Sequence, residues 1–280
     1  MSDFMILDGH IHVGEGAEDR TTFWRELTSA GVAGGVIISL PPKAFPAVGH
    51  SAPPQDRLDN VFSWAEEGES LYPFYWVDPM ESDAIQQVEI AAKQGIFGFK
   101  IICHSYYPSD RKAMEVFAAI AEARRPILFH SGVLWDGTPS SRYNRPAEFE
   151  ALLEIKGLKF ALAHVSWPWC DELIAVYGKF LNSNSRTNKH AVEMYIDIAP
   201  GTPQIYRREV LTKLFTVGYD IENNVLFGSD CEANNYDTQH VAKLVKIDNE
   251  IYHSIGLKRQ VQEKLYAKNL MRFLAPISGP

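Results

Sequence analysis

Eight short apolar runs recur along this chain, and each is followed by a segment of helical character. They cover residues 4–8 (FMILD), 35–39 (GVIIS), 73–77 (PFYWV), 97–102 (FGFKII), 127–130 (ILFH), 159–164 (KFALAH), 194–198 (MYIDI) and 225–228 (VLFG). Each is nearly continuous and rich in β-branched or aromatic residues, the pattern of strands buried on both faces of a parallel sheet. Helices are expected in DRTTFWRELTSAG, SDAIQQVEIAAKQG, PSDRKAMEVFAAIAEARR, AEFEALLEIKG, TPQIYRREVLTKLFTVG and YDTQHVAKLVKIDNEIYHSIG, with a last one over residues 258–274. Several stop at a glycine, as helices do. The strand ends recur at about the length of a strand-plus-helix unit.

Eight such units within 280 residues point to an α/β chain folded as a (β/α)8 TIM barrel, read as one domain over residues 1–280. A doubly wound open sheet uses the same units and is the rival. No GxGxxG follows the first strand, so a dinucleotide site lacks support. The Pro-rich SLPPKAFPAVGHSAPP reads as a long loop after the second strand rather than a domain boundary.

The charge balance narrows the partners. The net charge is −8, and the basic residues are scattered among acids. No nucleic-acid partner is expected. No apolar run approaches the roughly 18 residues that a membrane span needs, so no membrane partner is expected. The start MSDFMILDGH lacks the basic and apolar parts of a secretion signal. The three cysteines, Cys103, Cys170 and Cys231, are widely spaced and form no CxxC pair. That usage suits a reducing compartment, and a cytoplasmic location is expected.

The chemistry is carried by the strand ends. His10 and His12 lie two residues apart in DGHIH. In an extended strand such residues share a side, roughly 6.5 Å apart. His130 ends the fifth run and His164 the sixth, while Asp230 follows the eighth. The C-terminal strand ends of a barrel converge at its mouth, where active sites sit. Two histidines in a turn, or one at a strand end, are ordinary polar groups. Four histidines and a carboxylate at four such ends instead suggest one shared divalent ion, zinc first, with manganese or another divalent ion as alternatives.

These motifs carry a resemblance. DGHIH, YWVDP, GFKI, ILFHSG, ALAHVS, VLFGSD and AKNLMRFL together resemble the amidohydrolase superfamily, in the amidohydrolase-2 branch that includes aminocarboxymuconate-semialdehyde decarboxylase and many metal-dependent hydrolases. The resemblance implies a distorted barrel holding one divalent ion, with His10, His12, His130 and Asp230 as ligands. It places His164 beside the ion as a catalytic group. Some relatives hold a second ion bridged by a modified lysine on the fourth strand. Lys100 occupies that strand, where a charged partner inside the barrel is the favoured role. Relatives are often dimers or larger, which leaves a homo-oligomer open.

The implied reaction is hydrolysis of an ester, lactone or amide of a small organic acid. A metal-held water ionises near neutral pH. Asp230 would take its proton and His164 would steady the developing charge. The alternative is nonoxidative decarboxylation of an aromatic or unsaturated acid, and a third reading is a barrel with a structural or sensing metal. The compact length favours hydrolysis. Around the site, Trp135, Arg142, Trp167 and His104 are the candidate substrate-binding residues for a carboxylic acid derivative. Tyr106, Tyr107, Arg145 and Trp169 neighbour them. Salt bridges to the protein's own acids compete with substrate for the arginines. Cys231 reads as a small buried residue and Asp197 as a supporting or structural group.

Overall fold

The computed structural model describes residues 4–14, 18–42, 51–65, 70–187 and 192–276. One sheet takes strands from nearly the whole chain. They are β1 (Asp8–His12), β2 (Gly35–Ile38), β3 (Leu71–Trp76), β4 (Gly98–Ile101), β5 (Ile127–Phe129), β6 (Lys159–Leu162), β7 (Glu193–Asp197), β8 (Val225–Leu226) and β9 (Cys231–Glu232). Their order is β8-β7-β6-β5-β4-β3-β2-β1-β9, and every pairing is parallel. Both edges of the sheet therefore belong to one segment, residues 225–232. Its first part pairs with β7 and its last part with β1. Between them, the Gly9 amide donates to Phe227 O at 2.8 Å and the Asp230 amide to His10 O at 2.9 Å. The sheet thus closes into the TIM barrel expected from the eight repeats.

Strand parity sorts the core into two shells. Val36, Ile38, Phe74, Trp76, Leu128, Ala161, Tyr195 and Leu226 pack together inside the barrel. Their chain neighbours Ile37, Tyr75, Phe99, Ile127, Phe129, Phe160, Leu162, Ile196 and Val225 face the helices. The helical layer is built from α1 (Arg20–Ser29), α2 (Pro54–Ala65), α3 (Ala84–Gln94), α4 (Arg111–Glu122), α5 (Cys170–Thr187), α6 (Gln204–Thr216) and α7 (Thr238–Ser254). In α4 the buried residues Ala113, Val116, Phe117 and Ile120 form one stripe, the spacing of a helix that covers a sheet. Two further helices follow, α8 (Arg259–Glu263) and α9 (Asn269–Leu274). Leu270, Phe273 and Leu274 of α9 join the interior shell and plug the barrel's N-terminal end. Only the opposite end is left for a site.

Several details differ from the sequence expectations. β1 begins at Asp8 rather than ending there, because Ile11 packs outward and pairs with β2 and β9. DGHIH is thus strand. AEFEALLEIKG is not α-helical. Residues Pro146–Glu154 form a 3₁₀ run, burying Phe149 and Leu152 three apart. The final helix is interrupted by a π-helical turn at Lys264–Lys268. The carbonyls of Leu265 and Tyr266 there accept from the amides of Phe227 and Leu7, so the helix opens to bond the barrel's seam. Sequence patterning did not single out α2 or α5. Among the described residues no helix is long and apolar enough to cross a membrane. Part of the expected loop after β2 (residues 43–50) lies outside the described residues.

Gly35 sits at the seam between β1 and β2 with φ +156, and a Cβ there would stand 1.8 Å from Asp8 O. Gly35→Ala must displace backbone on one of the two strands. It is expected to cost about 3 kcal/mol or more, read as a lowered denaturant midpoint. A midpoint near that of the parent would show that β1 is free to shift.

Candidate metal centre and substrate cavity

The same parity that fills the barrel interior aims polar groups at its mouth. On β1 Ile11 faces out, so His10 and His12 face in. Phe99 and Ile101 face out, so Lys100 faces in. His130 follows Leu128 by two residues, Asp197 follows Tyr195, and Asp230 follows Leu226 by four. His164 breaks the rule. Phe160 and Leu162 face out, so simple alternation would send His164 outward too. The chain instead turns left-handed at His164, Val165 and Ser166, with φ of 62°, 47° and 53°. Left-handed backbone in three consecutive non-glycine residues is costly and clusters at functional sites. Gly201 makes room for the result, since a Cβ there would lie 2.5 Å from His164 Cβ. Asp230 is also left-handed, at φ 59°.

The side chains meet at short range. His10 Nε2 lies 3.1 Å from His12 Nε2. Asp230 Oδ1 lies 3.3 Å from His10 Nε2 and 3.5 Å from His12 Nε2. His10 Nδ1 donates to Asp197 Oδ2 at 2.6 Å. The carboxylate can only accept, so it fixes the His10 proton on Nδ1 and leaves Nε2 as a lone pair aimed at the cluster. Lys100 Nζ presents a cation to that same lone pair at 3.2 Å.

Electrostatics agree with the proton assignment. Burial, and then the Lys100 ammonium, push the His10 pKa well below the ordinary imidazole value, which keeps the ring neutral. Burial pushes Asp197 up to about 6, still ionised at neutral pH. Burial also lowers Lys100 to about 8. Asp230 experiences opposite pulls. Burial among protein groups would raise it, but His10, His164 and His12 outweigh that and hold it well below the carboxylate range. Its side chain is about one-third exposed, and that exposed part faces the cavity.

One nitrogen each from His10 and His12 and one Asp230 oxygen lie within 4.8 Å of one another. Neutral imidazole nitrogens and an ionised carboxylate are the donors that zinc and its neighbours prefer. A carboxylate behind one imidazole is the usual support of a metal-binding histidine. The residues therefore fit a divalent ion. His130 stands apart from this set of three. Its ring centroid is 5.0 Å from that of His164, which is 5.2 Å from His10. His130 is buried and neutral, its pKa lowered by burial first and by His164 next, and its Nε2 has no hydrogen-bond partner. His164 Nδ1 is likewise buried without a partner.

These groups open into a cavity of about 480 Å³. His12, Lys100, His130, His164 and Asp230 lie at its base, and Trp76, Ile102, Leu134 and Trp167 form its walls. Trp135, Asp136 and Glu232 also line it. Of the residues read as substrate contacts, Trp135 and Trp167 line this space. Arg142 and His104 do not. Arg142 lies with its guanidinium over the Tyr143 ring and donates to Tyr143 Oη at 2.6 Å. His104 packs edge-on to Tyr106, whose hydroxyl donates to Ile102 O. The segment after β4 is thus a packed loop. Arg145 pairs with Glu172 at 2.5 Å and covers Trp169. Cys231 is buried, and burial raises its thiol to about 11, which does not suit a nucleophile.

Asp8 is a functional residue that the sequence reading passed over. Its Oδ1 accepts from the amides of His10 at 3.0 Å and Ser229 at 2.9 Å, and its Oδ2 from Tyr236 Oη at 2.8 Å. One buried carboxylate thereby ties the strand bearing His10 to the loop bearing Asp230. The available signal was its place directly before GHIH, where an acid ends a run of apolar residues.

The fold and cavity define a barrel whose mouth carries a His/Asp cluster that could hold a metal ion. The chain belongs to the amidohydrolase family, whose model matches residues 59–275. That match begins after β1, so His10 and His12 lie outside it. No curated protein matches the chain. Solved structures resemble it at low identity. An amidohydrolase from Burkholderia multivorans with bound zinc has a TM-score of 0.66 and 10% identity, covering 98% of this chain and 100% of that one. The probable 2-pyrone-4,6-dicarboxylic acid hydrolase of Acinetobacter baumannii with citric acid bound has a TM-score of 0.59 and 12% identity, covering 96% and 98%. Dihydroorotase from Campylobacter jejuni has a TM-score of 0.59 and 14% identity, covering 97% and 85%. At these identities the likeness establishes the fold.

Asp197→Asn keeps the size of the side chain but removes the charge behind His10. Zinc affinity, measured by chelator competition, is expected to fall about 10- to 100-fold. Unchanged affinity would mean that His10 needs no such support.

Proposed function

We propose that this protein is a metal-dependent hydrolase that cleaves an ester, lactone or amide bond of a small organic acid. The observation that carries the reading is the convergence of His10 Nε2, His12 Nε2 and Asp230 Oδ1, with Asp197 fixing the His10 tautomer. His10, His12 and Asp230 would hold the ion, and His130 would reach it with its unpartnered Nε2. A divalent ion bound there, zinc first, supplies Lewis acidity and brings the pKa of a water near 7.

The chain's own groups do the rest. Asp230 is ionised beside its imidazole neighbours, so it can accept the proton of the attacking water. The same carboxylate then delivers that proton to the leaving oxygen or nitrogen. His164, turned inward by its left-handed backbone, stands across from His10 and steadies the negative charge that grows on the carbonyl oxygen. The apolar walls Trp76, Ile102 and Leu134 limit water to the reacting end. The same groups could serve nonoxidative decarboxylation, and the product released separates the two reactions.

The test is a panel of lactones and aryl esters followed by pH-stat on zinc-loaded protein. Acid release is expected. Asp230→Asn, with zinc content checked, is expected to lose at least about 100-fold in kcat while its circular dichroism is unchanged. Near-parental rates in a zinc-loaded variant would remove Asp230 from this role. Carbon dioxide release from carboxylated phenols, without acid release from the panel, would reassign the reaction to decarboxylation.

A further inference from the structure

The cavity is polarised along its depth. Its base holds Lys100, which is 1% exposed, the imidazoles of His130 and His164, which are nearly as buried, and the Asp230 carboxylate that would bind the ion. The orphaned His130 Nε2 at this base marks it as a place where a ligand atom belongs. Three tryptophans line the way out, from the buried Trp76 through Trp167 to Trp135, which is 79% exposed. Besides Asp230, the carboxylates that line the cavity are those of the half-exposed Asp136 and the exposed Glu232. No arginine lines the cavity among the described residues.

The two acids are not equivalent. Asp136 is used by its own turn, where it accepts from the Thr138 amide and from the hydroxyls of Thr138 and Ser140. The Glu232 backbone carbonyl accepts from the Asn235 amide, while its carboxylate has no hydrogen bond or ion pair among the described residues. Glu232 stands in register with His12 on the adjoining strand. Its carboxylate rests on Gly14, where a Cβ would lie 2.5 Å from Glu232 Oε2. The carboxylate lines the cavity and is open to a partner from outside the chain.

Resting on the reading of this cavity as the substrate site, we propose that Glu232 and the tryptophan walls select a planar substrate whose far end carries a positively charged amine, and reject one whose far end carries a second carboxylate. The tryptophan faces accept a flat ring and attract a cation. The carboxylate at the rim pairs with an ammonium group and repels an anion. This departs from the dicarboxylic acid in the name of the Acinetobacter baumannii structure. The anionic or carbonyl end of the substrate goes to the base, toward Lys100 and the histidines.

Three acids of matched shape test the selection: 4-(aminomethyl)benzoate, 4-methylbenzoate and terephthalate. Their far ends are positive, neutral and negative. Binding to zinc-loaded protein is read by quenching of tryptophan fluorescence, and hydrolysis of the matching methyl esters by pH-stat. The expected affinity order is positive, neutral, negative. Glu232→Gln is expected to reduce the preference of positive over negative by about fivefold, the scale of a partly exposed charge pair. Glu232→Lys is expected to invert it. An unchanged preference in both variants, tightest binding by terephthalate, or no binding by any of the three would overturn the proposal. Acids that bind in the expected order while no ester is cleaved would support the selection and count against the hydrolytic reading.

Discussion

The site depends on one buried carboxylate. Asp8 is fully enclosed, and burial pushes its pKa up to about 6. Burying it is costly unless its oxygens are satisfied. They are satisfied by the amides of His10 and Ser229 and by the Tyr236 hydroxyl. Hydrogen bonds to a charged group contribute about 1.5–3 kcal/mol each and offset part of that cost, though burial still leaves the pKa raised. The three donors come from the first strand, the loop after the eighth and the segment beyond it. The interaction that closes the barrel is thus also the one that brings His10 and Asp230 together. Glycines permit the approach. A Cβ at Gly9 would lie 2.8 Å from Phe227 O, and one at Gly228 would lie 2.8 Å from His10 Cβ.

From this seam the division of labour follows. The interior shell fixes strand parity, and parity aims the lone pair of His10 and the carboxylate of Asp230 at one point. Asp197, contributed from β7 beyond the closing segment, locks the tautomer that makes the lone pair available. On the other side the hydroxyls of Ser131 and Ser166 bond each other at 2.7 Å, coupling the segments that carry His130 and His164. The strained turn at His164 is held by that bond and by Thr202, whose hydroxyl donates to His164 O. Local backbone cost is tolerated here because neighbouring contacts over-determine the conformation.

Much of this was legible in the sequence, and the exceptions have physical causes. The alternation of short apolar runs with helical segments revealed the barrel, because a strand buried on both faces must be apolar throughout. HxH revealed a shared side because alternation is local. His164 was legible only as a strand end. Its inward turn depends on Gly201, 37 residues later, and no local pattern encodes that. Arg142 was read as a candidate because guanidinium groups suit carboxylates. In the structure the aromatic face of Tyr143, adjacent in sequence, holds it away from the cavity. The π-helical turn escaped notice because its cause lies elsewhere: Leu7 and Phe227 at the seam need acceptors.

The residues least legible in the sequence are those that polarise the cavity. Glu232 belongs to a two-residue strand that exists only because β1 offers it an edge. Its carboxylate lies against Gly14, 218 positions earlier in the chain. Neither residue has a periodic or motif signature. Catalytic groups in such a barrel sit at strand ends and can be read from the repeat, since the repeat builds the strands. Groups that set selectivity sit on the connections, whose lengths and contacts the repeat does not constrain. The same sequence therefore announces a class of chemistry more clearly than the molecule on which that chemistry acts. It is the charge gradient from Lys100 to Glu232, a property of the folded cavity, that narrows the choice.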